Sequence, residues 1–275
     1  MTGPRLGAHT FGFVWHRTPE AAFDAIAALG ITHVQLMAMP PHFDPWRSDV
    51  PRTRRLRACL ERNCQQALAL DLASSDINLA SPAAAVVEFA VSAYAHAIAR
   101  AAELGMPWVC IGSGRRHGLL PRVNAQLLAP FRRTFSRLHA EAERQGVRLI
   151  LENHPQGLLA DAAAMAAFLD GEGYPDVGVI YDVANAFAIG EDPVAGLATL
   201  ADRVHIVHLS DAPKGQWRHD PIGSGDIDFA AIATALCQSG FRRHIVLEIL
   251  SDEPAGDLAD GVRRLTDAGF SFGVG

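Results

Sequence analysis

Short apolar runs alternate along this chain with longer stretches in which apolar residues recur every third or fourth position. The short runs read as parallel strands buried on both faces, and the longer stretches as amphipathic helices that cover them. LGAHTFGFVW predicts a first strand. TPEAAFDAIAALG follows as a helix, with Thr18 as its N-cap, Glu20 in its first turn and Gly30 as its stop. THVQLMAM predicts a second strand ending at Pro40-Pro41. A basic helix is expected from about Pro51 to Leu70, and a third strand in LDLASSDINLA. A long helix from about Pro82 to Leu104 closes at Gly105, PWVCIGSG is the fourth strand, and another helix runs from about Asn124 to Gln145.

The second half repeats the pattern. VRLILEN, VGVIYDVAN, VHIVHLSD and HIVLEIL predict strands, each followed by a helix: DAAAMAAFLDG, PVAGLATLAD, DFAAIATALCQSG and LADGVRRLTDAG. Eight strand–helix units predict an α/β fold, the (β/α)8 TIM barrel, as one domain over residues 1–275. The competing open, doubly wound sheet usually carries a Gly-rich phosphate turn after its first strand, and HTFGFVWH is not one. Residues 40–51 and 212–225 fit βα loops, which shape the substrate pocket of a barrel.

Composition narrows the function. A net charge of −6 argues against a nucleic-acid surface. No apolar run is long enough to span a membrane, and MTGPRLGAHTFGF lacks the pattern of a signal peptide, so a cytoplasmic location is expected. Cys59, Cys64, Cys110 and Cys237 fit no zinc or redox spacing. Cys110 and Cys237 read as small core residues, and disulfides are not expected.

Four polar residues stand near the ends of apolar runs: Glu152 in VRLILENHP, Asp182 in VGVIYDVANAF, His208 in VHIVHLSDA and Glu248 in HIVLEIL. Burying such groups is costly unless something pairs with them. Three carboxylates and an imidazole gathered at one end of a sheet bind a divalent cation well. The plainer reading of Glu152 and Glu248 is a buried ion pair with Arg148 or Arg243.

LENHP, YDVAN, HLSD with its following GSGDIDF loop, and LEI together resemble the xylose-isomerase-like TIM-barrel superfamily. More narrowly, they are similar to its sugar epimerase and sugar-phosphate isomerase branch, which includes the ketose 3-epimerases. The resemblance covers essentially the whole chain. It implies one divalent metal ion held by Glu152, Asp182, His208 and Glu248, with Glu152 and Glu248 as the catalytic proton carriers. An O-rich site with one imidazole leans toward Mn²⁺ or Mg²⁺, with Co²⁺ or Zn²⁺ as alternatives. A metal that chelates a carbonyl oxygen and the neighbouring hydroxyl stabilises an enediolate, and carboxylates on opposite faces of the carbon give epimerisation. A single active base gives aldose–ketose isomerisation.

The expected partner is a small sugar, sugar phosphate or polyol-derived substrate, with a homo-oligomer as a further expectation from the resemblance. Arg218 and His219 follow His208 in the loop where the family carries substrate-contacting basic residues. Asn185 replaces a His that many relatives use for substrate. His9 and Asn78 lie near strand ends, within reach of a sugar hydroxyl or equally engaged in structural bonding. Phe11, Trp15 and Trp46 are candidates for an apolar wall. Asp226 or Asp228 is expected to cap the next helix. His96, His154, His205 and His244 are read as non-ligands, because helix or strand parity places most of them away from the site.

Three other functions fit the same scaffold. A dehydratase of an inosose or dehydroshikimate-like substrate uses the same metal and base, with His219 as acid. An apurinic-site endonuclease needs three metals, yet Asn185 replaces one of its His positions and Trp217 one of its Asp positions. A barrel that only binds a sugar is the non-enzymatic alternative.

Overall fold

The computed structural model describes residues 3–73, 77–116 and 124–273. Eight strands, β1 Arg5–His9, β2 His33–Ala38, β3 Gln66–Leu72, β4 Trp108–Gly112, β5 Arg148–Glu152, β6 Gly178–Asp182, β7 Val204–Leu209 and β8 His244–Leu247, pair in chain order. All pairs are parallel, and β1 closes on β8 through Arg5↔His244 and Ala8↔Leu247. The helices are α1 Pro19–Ala28, α2 Val50–Arg62, α3 Ala84–Leu104, α4 Asn124–Arg144, α5 Ala162–Glu172, α6 Val183–Ala188, α7 Pro193–Leu200, α8 Phe229–Gln238 and α9 Pro254–Asp267. This is the expected (β/α)8 barrel.

Local signals account for many helix ends. Thr18 Oγ1 accepts from the Ala21 amide, Asp161 from Ala164 and Asp228 from Ala231. α3 and α5 stop at Gly105 and Gly173, both in the left-handed region at φ +72°.

The helix expected over residues 51–70 forms but ends early. α2 ends at Arg62, the chain turns at Cys64 with φ +51°, and Gln66 already begins β3. QALALDL is made of residues with modest β preference, so its local signal favours helix. Pairing between β2 and β4 overrides it. The strand expected in LDLASSDINLA therefore begins earlier and ends at Leu72, and residues 74–76 of that reading lie outside the described residues. Cys237 is exposed rather than in the core, whereas Cys110 is buried.

Alternation along the strands positions the site. Ile150, Ile180, Ile206 and Val246 belong to one buried cluster inside the barrel. Two residues further along each chain come Glu152, Asp182, His208 and Glu248. Two-residue periodicity therefore puts all four on the inward face, at the C-terminal end where barrel active sites lie.

Candidate active site

Glu152 and Asp182 end β5 and β6, His208 is next to last in β7, and Glu248 directly follows β8. Asp182 and His208 are paired in register. One ligand atom from each of the four residues lies within 4.8 Å of the others. His208 Nδ1 is 3.0 Å from Glu248 Oε2, 3.1 Å from Glu152 Oε1 and 3.6 Å from Asp182 Oδ2. The alternative ion pairs do not form. The Arg148 guanidinium lies 4.0 Å from the Trp108 ring centroid, and Arg243 donates to the Val204 and Asp202 carbonyls.

Neighbouring residues leave specific atoms facing the cluster. Asp182 Oδ1 accepts from the Asn185 amide at 2.6 Å and caps α6, while its buried Oδ2 has no hydrogen-bond partner. His208 Nε2 lies 2.9 Å from Gln35 Oε1 and donates to it. That fixes the tautomer and turns Nδ1 toward the carboxylates, where it is aligned with none of them for a hydrogen bond. Gln35 Nε2 donates to Asp71 Oδ2 at 3.1 Å, so an amide bridge ties the imidazole to a further buried carboxylate. Orphaned, buried acceptors among three carboxylates are what a divalent cation would satisfy, so the donor set fits the implied metal.

The electrostatics are those of crowded, buried charge. Burial pushes Glu152 up to about 8, with His208 pulling the other way and Asp71 adding to the rise. Burial also opposes ionisation of Glu248, but His208, followed by His219 and His9, holds its carboxyl well below the usual range. Burial alone would depress His208. The surrounding Glu248, Asp182 and Glu152 raise it well above its ordinary value.

A cavity of about 550 Å³ opens above the cluster, and its wall includes Phe11, Asp71, Glu152, His154, Trp217 and Glu248. The other expected substrate contacts divide. His219 lines the cavity, with Nδ1 3.6 Å from Glu248 Oε2 and 3.7 Å from Asp182 Oδ2. Asn185 lines it too, but its side chain is engaged with Trp217 and the Asn153 carbonyl. Arg218 pairs with Asp220 and its side chain is 55 % exposed, because alternation in the extended segment turns Trp217 and His219 inward and Arg218 outward.

His9 is packed behind the cluster. Its Nδ1 accepts from the Phe11 amide and its Nε2 donates to Asp71. Asn78 is committed to loop backbone, accepting from Ala80 and Arg115 and donating to the Arg115 carbonyl. Phe11 and Trp15 line the cavity, while Trp46 stacks on Phe89 elsewhere.

Sequence reasoning missed Gln35, Asp71, His154 and Trp217. Asp71 stands near the end of an apolar run, as Glu152 does, but only its last residues were read as strand, because Gln66–Leu70 were assigned to the preceding helix. His154 was read as a non-ligand, and among the described residues it joins no ligand cluster, but it lines the cavity.

Residues 23–268 match the model of the Xylose isomerase-like TIM barrel family, and the chain belongs to that family. A putative L-ribulose-5-phosphate 3-epimerase, SgbU, of Escherichia coli strain K12 is 32% identical over 110 residues, which cover 35% of this chain and 36% of that relative. A probable endonuclease 4 of Methanoculleus marisnigri is 29% identical over 216 residues, covering 70% of this chain and 74% of the relative. Among solved structures, the D-psicose 3-epimerase of Clostridium cellulolyticum H10, crystallised with D-tagatose, superposes with a TM-score of 0.81 at 16% identity. That match covers 97% of this chain and all of the other, and it speaks for the fold. Among the described residues, no helix is long and apolar enough to cross a membrane.

Proposed function

We propose that this protein is a divalent-metal-dependent sugar epimerase or isomerase. The observation that carries this reading is the convergence of Glu152, Asp182, His208 and Glu248 on one point, with Asp182 Oδ2 and His208 Nδ1 buried and unpartnered. These four residues would hold the ion, with Mn²⁺ or Mg²⁺ favoured by the oxygen-rich donor set. When bound, the ion supplies Lewis acidity toward a carbonyl and its neighbouring hydroxyl.

The chain supplies the proton chemistry. Glu152 at the end of β5 and Glu248 just after β8 both line the cavity. As ionised ligands they can take a proton from one substrate carbon and return it. His219, beside Glu248 and Asp182, is in place to bond a substrate hydroxyl. Gln35 accepts from His208 Nε2 and is itself held by Asp71, which keeps Nδ1 turned toward the cluster.

The test is Mn²⁺-loaded protein incubated in deuterium oxide with free ketoses and their phosphates. The expected product is an isomer that carries solvent deuterium at the reacting carbon. Glu248→Gln should lower turnover by at least roughly a thousandfold. Near-normal turnover in that variant removes Glu248 from the chemistry. A product lighter by one water would make the enzyme a dehydratase instead.

The endonuclease reading draws on the longer match to the Methanoculleus marisnigri relative. Against it stands a contact within the site. Asn185 and Trp217, which occupy two of the positions where that activity needs metal ligands, are hydrogen-bonded to each other. Nicking of DNA at abasic sites would reinstate it.

A further inference from the structure

Trp217 lies in the loop after β7 and lines the cavity together with Glu152, His219 and Glu248. Its indole is 40 % exposed, yet it is held in place. Nε1 donates to Asn185 Oδ1 at 2.7 Å, and the ring stands edge-on to His154 with centroids 4.7 Å apart. Asn185 in turn has one possible orientation. Its Nδ2 donates to the Asn153 carbonyl at 3.0 Å, so Oδ1 must face the indole. The Asn185 backbone amide is bonded to Asp182 Oδ1, so the indole is anchored to the residue that caps α6 and faces the metal cluster.

An ordered aromatic face left open in a ligand cavity is apolar surface waiting to be covered. A sugar has hydroxyl edges and C–H faces, and Glu152, His219 and Glu248 supply polar groups to this cavity. An indole takes a C–H face well, because it offers a large flat surface at little conformational cost. Trp15 also lines the cavity but is 71 % exposed, whereas Trp217 is held by Asn185 and His154. Asn185 is buried at 3 % exposure, with Oδ1 engaged by the indole and Nδ2 by the Asn153 carbonyl.

We propose that Trp217 is the substrate-binding platform of this site, taking the C–H face of the bound sugar, and that Asn185 is a positioning residue that acts through it. The inference rests on the sugar reading above. It also assigns a shared purpose to two residues that sequence reasoning treated separately.

The test is titration calorimetry of Mn²⁺-loaded protein with D-tagatose and D-fructose, with metal content measured on the same samples. Trp217→Ala should weaken Kd about tenfold, and Trp217→Phe should recover most of that loss. Asn185→Ala should weaken Kd about fivefold through a less ordered indole. Both alanine variants should keep the wild-type metal content, and in turnover assays the change should fall on KM more than kcat.

Unchanged affinity in Trp217→Ala overturns the platform while leaving the sugar reading standing. A loss in Asn185→Ala that tracks lost metal makes Asn185 a support of Asp182 instead. Binding without turnover in the wild type overturns the enzymatic reading, and the same Kd ratios still decide the platform. No binding of either sugar by the wild type overturns both.

Discussion

The two ends of the barrel interior carry the same residue type in opposite settings. At the C-terminal end, His208 sits among Glu152, Asp182 and Glu248 and is raised well above its ordinary value. At the N-terminal end, His33, His205 and His244 lie near Arg5, Arg148 and Arg243, and all three are lowered, by burial first. The apolar layer of Ile150, Ile180, Ile206 and Val246 lies between them. A histidine in this sequence therefore has no fixed meaning. Its place along the strand decides whether it faces anions and can share a cation with them, or faces cations and stays neutral.

Removing a ligand at the anionic end should give the largest effect. Purified wild type is expected to hold about one divalent ion per chain, and Glu152→Ala close to none. His244→Gln, at the opposite end, should keep the wild-type content. Metal analysis of the three proteins decides this. If Glu152→Ala keeps its ion, or His244→Gln loses it, the contrast between the ends collapses. A wild type that stays metal-free after reloading would remove the four-residue site itself.

A smaller effect should follow from changing what lies behind His208. Gln35 accepts from Nε2, which leaves Nδ1 free for the cluster. Gln35→Leu removes that acceptor, and the proton is then drawn to Nδ1, where three carboxylates compete for it. Metal affinity should fall about ten- to a hundredfold, the usual cost of losing such an outer partner. Nitrogen NMR of the metal-free protein, followed to a pH at which the imidazole has lost its charge, should show the tautomer shift in the same variant. A variant with unchanged affinity and an unchanged His208 spectrum would mean that strand packing alone orients the ring.

Which parts of this contrast are legible in the sequence follows from the strength of each local signal. β5 to β8 are apolar runs rich in Val and Ile, and each carries its polar residue two positions beyond an inward aliphatic, so the four-residue cluster can be read directly. Gln66–Leu72 has no β-branched residue, and reading Gln66–Leu70 as the end of a helix hid the apolar run that leads to Asp71, so its bond to Gln35 gave no signal. α6 was lost for a different reason. Its N-cap is Asp182 itself, so one residue ends a strand, starts a helix and faces the site. The preference for Arg218 over Trp217 came from side-chain chemistry, whereas alternation in the folded segment chose the neighbours. The pairing of Asn185 with Trp217 spans 32 positions, and no local pattern signals it.

The smallest effect belongs to the cationic end, and its sign is fixed by linkage. His33 and His244 pack with their rings tilted by 54° and centroids 5.0 Å apart, and burial, then His33 and Arg5, lowers His244 to about 4. An unfolded chain carries that imidazole near its ordinary 6.5, so between about pH 6.5 and pH 4 the unfolded state binds the extra proton. The stability tied to neutral His244 is therefore complete above pH 6.5 and is lost as pH falls toward 4. Solvent reaches part of this ring, so the contribution lost between about pH 7.5 and pH 5 should be on the order of 1 kcal/mol. Glutamine at position 244 has nothing to titrate, so His244→Gln should lose less stability than wild type over that interval. Urea unfolding of both proteins at the two pH values measures this, and comparing them cancels the titration of the carboxylates at the other end. Parallel losses would mean that His244 already charges in the folded barrel, and the neutral character assigned to that end would be wrong.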